Sequence, residues 1–472
     1  MASLRCWSLC PKPRQVATES VHGAQLALQR LSRRCETCDV EAGTRCKCRE
    51  EAVAQDGGKV AVVEVKGEER RSEPNSSFAH SVINMVGMLI GLGQLSTPYA
   101  LENGGWASVF LLIGLGVMCA YTAHIIGRCL DEDSGSKTYQ DIGEQAFGVK
   151  GRVIASTFIY LEIFLALVSY TISLSDNLPL VFAGVHLHLP WLHLSATQLL
   201  TIIAVLVALP SLWLRDLSSI SFLSFAGIIM SLLIFGSVVC TAAFGGVNLG
   251  KHIPVLQLEK IPAVSGLYMF SYAGHIVFPN IYTAMKGPSS FTKVSVTSFA
   301  VVTALYVALA FVGASLFGPA VSSQITLSMP PHLVVSKVAL WATVLTPVTK
   351  YALEFAPFAV QLQHHLPEGM GPRARMFVRG AVGSAALLVI LALALSVPYF
   401  QYVLSLTGSL VSVAICVIFP CAFYLKIYWG RVPKSTVTLN VVLMVTGVVL
   451  AVVGTISSAK SLVQSIQRGH AA

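Results

Sequence analysis

The chain has 472 residues, 54% of them hydrophobic and 12% charged, with a mean hydropathy of +0.69 and a formal net charge of +9. Soluble domains carry about 25% charged residues, and residues 79–472 hold only 31 of the 55 formal charges, so a water-soluble globule is excluded. The positive balance collects in short clusters between apolar runs, which is the pattern of membrane topology and not of a nucleic-acid surface.

Residues 1–77 have a mixed-charge, Gly-containing composition without sustained periodicity, and read as a disordered cytosolic tail. Arg5, Lys12 and Arg14 interrupt every short apolar run, so no signal-peptide core is expected; a transit peptide is an alternative reading of the first 35 residues. Cys35-x-x-Cys38 and Cys46-x-Cys48, with Cys6 and Cys10 before them, are read as reduced thiols. The second spacing is too tight for an ordinary zinc site, so neither metal nor cofactor is expected. Asn75-Ser76-Ser77 has the form of a glycosylation sequon, but on the cytosolic side it has no meaning.

Apolar stretches long enough to cross a hydrocarbon core of ~30 Å follow at 79–100, 104–127, 153–175, 196–214, 219–244, 261–284, 294–317, 333–360, 377–397, 399–425 and 437–457. The expectation is an all-α polytopic membrane protein of eleven helices over residues 78–459, with a short non-cytosolic tail at 460–472. Thirteen Lys/Arg fall in one set of loops, from Arg128 and Lys137 to Arg431 and Lys434. Four fall on the other side: Lys251, Lys260, Lys460 and Arg468. That asymmetry places the N-terminus in the cytosol.

Two spans are unlike the rest. The first runs Asn84-Met85-Val86-Gly87-Met88-Leu89-Ile90-Gly91-Leu92-Gly93-Gln94-Leu95-Ser96-Thr97-Pro98, and the sixth Ser271-Tyr272-Ala273-Gly274-His275-Ile276-Val277-Phe278-Pro279. Each has a glycine at mid-depth and a proline five residues later (Gly93 to Pro98, Gly274 to Pro279), which weakens the helix and removes a hydrogen bond. Interrupted spans at matching places in successive five-span blocks point to a transporter built from inverted repeats. Broken backbone is tolerated at that depth only beside a polar cavity, where half-helix ends hold a carboxylate and free carbonyls an ammonium. An amino acid presents both. The alternative is that Gly87-x-x-x-Gly91 merely packs helices.

The first span, continuing into Ala100, Gly104, Gly105 and Trp106, resembles the opening signature of the amino acid/auxin permease family. Tyr139-Gln140-Asp141-Ile142-Gly143, Ala146-Phe147-Gly148, Asp176-Asn177-Leu178, Phe270 to Pro279 with Met285-Lys286, and Pro347 to Leu353 extend the likeness over about residues 77–457. Its nearest branch is the plant vacuolar amino acid transporters. The resemblance implies a fold of the amino acid–polyamine–organocation type, with ten core helices in a five-plus-five inverted repeat, broken first and sixth helices, and an eleventh added. It also implies a tonoplast location.

On this reading the substrate is an amino acid, held by Asn84, Gly87, Met88, Gly91, Gly93 and Ser96 from the first break and by Phe270, Ser271, Gly274, His275 and Phe278 from the second. Glu162, His275, Thr343, Thr346 and Lys350 are the candidates for ion coupling, since ionisable groups at mid-membrane default to function. Lys350 and Glu354, four residues apart on one helical face, would alternatively satisfy each other. His275 titrates in the range a proton-coupled carrier uses. H+ is therefore preferred to Na+, although Thr343, Thr346 and Thr349 form a stripe where sodium-coupled relatives of the fold hold their ion. His186, His188 and His193 read as loop histidines. No H-E-x-x-H or G-x-S-x-G motif occurs, which argues against an intramembrane enzyme. The expected function is secondary active transport of amino acids by alternating access. An amino-acid sensor or a channel is the alternative, and the bilayer is the only other partner foreseen.

Overall fold

The computed structural model describes residues 52–56, 59–63 and 76–471, apart from 134–135, 184–194, 214–217, 248–249 and 366–370. Cys6 to Cys48 and the three loop histidines lie outside the described residues. The chain divides into two units, Met1–Glu73 and Pro74–Ala472. In the first, β1 (Ala52–Asp56) and β2 (Lys59–Val63) pair antiparallel with Ala52 opposite Val63.

In the second unit every expected span coincides with helix. The first span is α1 (Phe78–Leu89) and α2 (Gly93–Gly104), bent by 60° at the break. α3 (Ser108–Glu132), α4 (Tyr139–Val181), α5 (Ala196–Trp213) and α6 (Ser218–Phe244) complete the first block. The sixth span is α7 (Ile261–Ser271), a 3-10 turn at His275–Val277 and α8 (Phe278–Ala284). Then come α9 (Phe291–Phe317), α10 (Val334–His365), α11 (Pro372–Ser396), α12 (Phe400–Thr407), α13 (Phe419–Ile427) and α14 (Lys434–Ala471). Two π segments, Gly408–Ser412 and Ala414–Ile418, join α12 to α13. Among the described residues seven helices are long and apolar enough to cross a membrane, and the bent pair α1/α2 makes an eighth. The described parts of α5, α10 and α11 fall short by that measure. α14 runs to Ala471, so residues 460–471 continue a helix, no glycine or proline intervening before Gly469.

The packing repeats with an offset of five spans. α1 packs on α6 as α7 packs on α12; α1 and α2 pack on α9 as α7 and α8 pack on α3; α10 packs on α6 as α4 packs on α12. That pairing is what an internal five-plus-five repeat produces, and it sets α2 against α7 at the centre. α14 stands outermost, with only 17% of its apolar window buried. Its Val442, Val445, Val449 and Val452 are exposed in the way a lipid-facing stripe requires.

Local chemistry explains the irregular places. Pro98 has no N–H to give to the carbonyl of Gln94, and the Thr97 hydroxyl donates to it instead at 2.9 Å. α4 begins on a capping box of Thr138 and Asp141 and kinks at Gly148, whose φ of +64° suits glycine. Ser76 pairs with the end of α8: its N–H donates to Ala284 O at 3.0 Å, and Lys286 N–H donates to Ser76 O at 3.1 Å.

Candidate functional site

A helix end leaves its last carbonyls and the next helix's first N–H groups without intrahelical partners. At the end of α1, Val86 O takes the N–H of Ile90 at 2.8 Å. Gly87 O accepts from the Lys350 ammonium at 3.2 Å, and Leu89 O lies 2.8 Å from the Tyr306 hydroxyl. Among the described residues, Met88 O has no donor, and no acceptor takes the N–H groups of Gly91, Leu92 and Gly93. A Cβ built on Gly91 meets nothing within 4 Å. Among the described residues the first break therefore presents one free carbonyl and three free N–H groups, with open space beside the half-buried Gly91 while Leu92 and Gly93 are buried.

The second break is filled. The Tyr306 hydroxyl also lies 3.0 Å from Ser271 O, so one phenol ties the ends of α1 and α7 together. Gly93 packs directly on Ser271: an added Cβ would sit 2.5 Å from the Ser271 Cα. The buried Cys416 of the π region packs beside the His275 turn. His275 is fully buried, its ring 4.7 Å from that of Phe278 and 6.0 Å from that of Phe299. Its Nε2 lies 3.0 Å from Thr122 Oγ1 and 3.2 Å from Cys119 O. The Thr122 proton is engaged with the carbonyls of Met118 and Cys119, so Nε2 is the donor and carries the ring hydrogen. Nδ1 is then a bare, buried acceptor with no partner.

The other expected residues fall as follows. Ser96 and Ser271 donate to carbonyls of their own helices, Gly93 O at 3.0 Å and Leu267 O at 2.9 Å. Asn84 and Phe270 are half-buried near the breaks. Glu162 is buried and accepts from Ser412 Oγ at 2.8 Å, linking α4 to the π segment. Thr343, Thr346 and Thr349 each donate to a carbonyl of α10 itself, at 2.8 to 2.9 Å, the way hydroxyls commonly settle in helices. Lys350 and Glu354 attract each other electrostatically but make no ion pair within 4.0 Å, and the ammonium's hydrogen bond goes to the first break. Tyr306, Thr122 and Ser412 were not foreseen, because a single hydroxyl within an apolar span carries no periodic signal. No three metal-binding side chains lie together among the described residues.

The family model for transmembrane amino acid transporter proteins matches residues 74–460. The chain belongs to that family. It is 60% identical over 439 residues to the amino acid transporter AVT1H of Arabidopsis thaliana, covering 92% of this chain and 99% of that one. With AVT1B of the same plant it shares 38% over 392 residues, 83% of this chain and 72% of the relative. The vesicular inhibitory amino acid transporter of Xenopus tropicalis is 25% identical over 408 residues, 81% of this chain and 77% of that one. The family's members are transporters and not enzymes, in keeping with the helical fold and its two central breaks.

Proposed function

We propose that the chain is a proton-coupled carrier that moves amino acids across the vacuolar membrane by alternating access, with its N-terminus in the cytosol. The observation that carries the reading is the first break. Unpaired buried backbone groups are costly in a membrane unless a ligand or water meets them. Here free N–H groups at the start of α2 suit a carboxylate, and the free carbonyl of Met88 at the end of α1 suits an ammonium. One α-amino acid satisfies both. Asn84, Gly87 and Gly91 on one side, and Phe270, Ser271 and Gly274 on the other, line its place. Side-chain specificity then falls to Met88, Phe270 and Phe278.

For coupling, His275 offers the bare Nδ1 as a proton acceptor at the second break, and Glu162 a carboxyl on the neighbouring α4. The threonine hydroxyls are spent on their own helix, and Lys350 already holds the carbonyl of Gly87, which favours H+ over Na+. The vacuolar placement rests on the likeness to the plant transporters. Purified protein in sodium-free liposomes should accumulate amino acid when a pH gradient is imposed. Uptake indifferent to the gradient, or uptake that starts only with sodium, would contradict the coupling.

A further inference from the structure

A cavity of about 280 Å³ lies away from the breaks, between the outer ends of α2, α7, α12 and α14. It is lined by Tyr99 and Asn103 from α2, Glu259 and Lys260 at the start of α7, and Gln401 and Tyr402 from α12. Drug-sized ligands occupy ~300–1,000 Å³, so the space suits a molecule of amino acid size. We propose that it is a second, peripheral site for a zwitterionic amino acid, an entry vestibule on the side of the Lys251–Lys260 loop. The proposal rests on the carrier reading above and adds a site to it.

Three features carry it. The first is charge of both signs on adjacent residues. Lys260 caps the N-terminus of the 11-residue α7, where the helix dipole favours an anion. Its ammonium gives one hydrogen to Asn103 Oδ1 at 2.9 Å, which leaves two for a carboxylate. The Glu259 carboxylate accepts no hydrogen bond and forms no ion pair among the described residues, so it is available to an ammonium. An α-amino acid carries those two groups on one carbon.

The second feature is orientation. Asn103 is itself fixed by donating to Tyr99 O at 2.9 Å, so the lysine head is held at the cavity wall instead of sweeping through solvent. The third is position. Leu267 lines the cavity, and its carbonyl takes the Ser271 hydroxyl. The cavity wall at Leu267 is thus one helical turn, about 5.4 Å, from Ser271 at the second break, and α2 and α7 line both the cavity and the breaks. A ligand seated there bridges α2 to α7.

The test uses the full chain in phosphatidylcholine nanodiscs, with radiolabelled L-alanine, L-serine and L-leucine in turn, and counts equivalents bound at saturation. For a bound amino acid the wild type should hold two equivalents. Lys260→Met and Glu259→Gln should each hold one, and so should Gly91→Leu, which blocks the other site. Both cavity variants alter exposed side chains, and an unchanged melting temperature verifies that they are folded. Uptake started from the cavity's side should show KM raised roughly tenfold in Lys260→Met with kcat preserved, as loss of an entry contact requires. A single equivalent in the wild type overturns the proposal, whether the cavity is empty or filled by a lipid headgroup. So does a Lys260→Met protein that still holds two. If instead Gly91→Leu keeps both equivalents, the central site is misplaced while the vestibule stands.

Discussion

The two breaks arise from matching glycine–proline patterns, yet they end in opposite states. At the first, the Met88 carbonyl and the N–H groups of Gly91 to Gly93 have no partners among the described residues, and Gly91 borders open space. At the second, an added Cβ at Gly274 would meet Leu89 and Phe278, and the His275 ring is wrapped by Phe278, Phe299, Thr122 and Cys119. The same backbone lesion thus serves two purposes. One side opens onto space that a ligand can enter; the other is packed and holds a titratable ring in place.

The sharpest way to break this contrast is to fill the open side. Gly91→Leu should lower amino acid binding at the central site by roughly 100-fold, about 2.7 kcal/mol, with membrane insertion intact. Near-normal binding would show that the glycine only packs helices. Next in size is Lys350→Met, which leaves Gly87 O without its donor. Uptake should fall by roughly tenfold, a loss of about 1.4 kcal/mol, and Lys350→Gln should recover part of it by restoring a donor. Equal uptake by the methionine variant and the wild type would remove the lysine from the mechanism.

On the closed side, His275→Gln keeps a hydrogen-bonding group toward Thr122 but cannot take a proton. Initial uptake against external pH should flatten in this variant relative to the wild type. An unchanged profile would move coupling to Glu162. Tyr306→Phe removes the phenol shared by Leu89 O and Ser271 O, and should cost about 1–3 kcal/mol in unfolding free energy. No loss would mean the two breaks are not held to each other there. The smallest effect is expected at the N-terminus. Deleting residues 1–70 leaves the pairing of Ser76 with Ala284 and Lys286 in place, and the detergent melt should be unchanged.

Hydropathy made the eleven helices legible, because twenty consecutive apolar residues have few other uses. The breaks were legible because glycine and proline act locally. What escaped is whatever depends on distant spans meeting. Lys350 sits four residues from Glu354, so the sequence suggests an internal pair; the fold instead brings its ammonium to a carbonyl 263 residues away. Thr122, Tyr306 and Ser412 are single hydroxyls in apolar runs, and only the packing of α3, α9 and the π segment shows what they bind. The π segments carry no pattern of their own, being helix by composition. The vestibule joins four helices from both ends of the chain, so no local window contains it.

Counterflow tests the central claim most directly. Liposomes carrying the purified chain and loaded with unlabelled amino acid are diluted into a trace of the labelled form, with wild type and Gly91→Leu side by side. The account requires the wild type to take up label transiently above equilibrium, faster when the inside is loaded, and Gly91→Leu to show none. Label entry unaffected by loading, as in a channel, or binding without entry, as in a sensor, would contradict it.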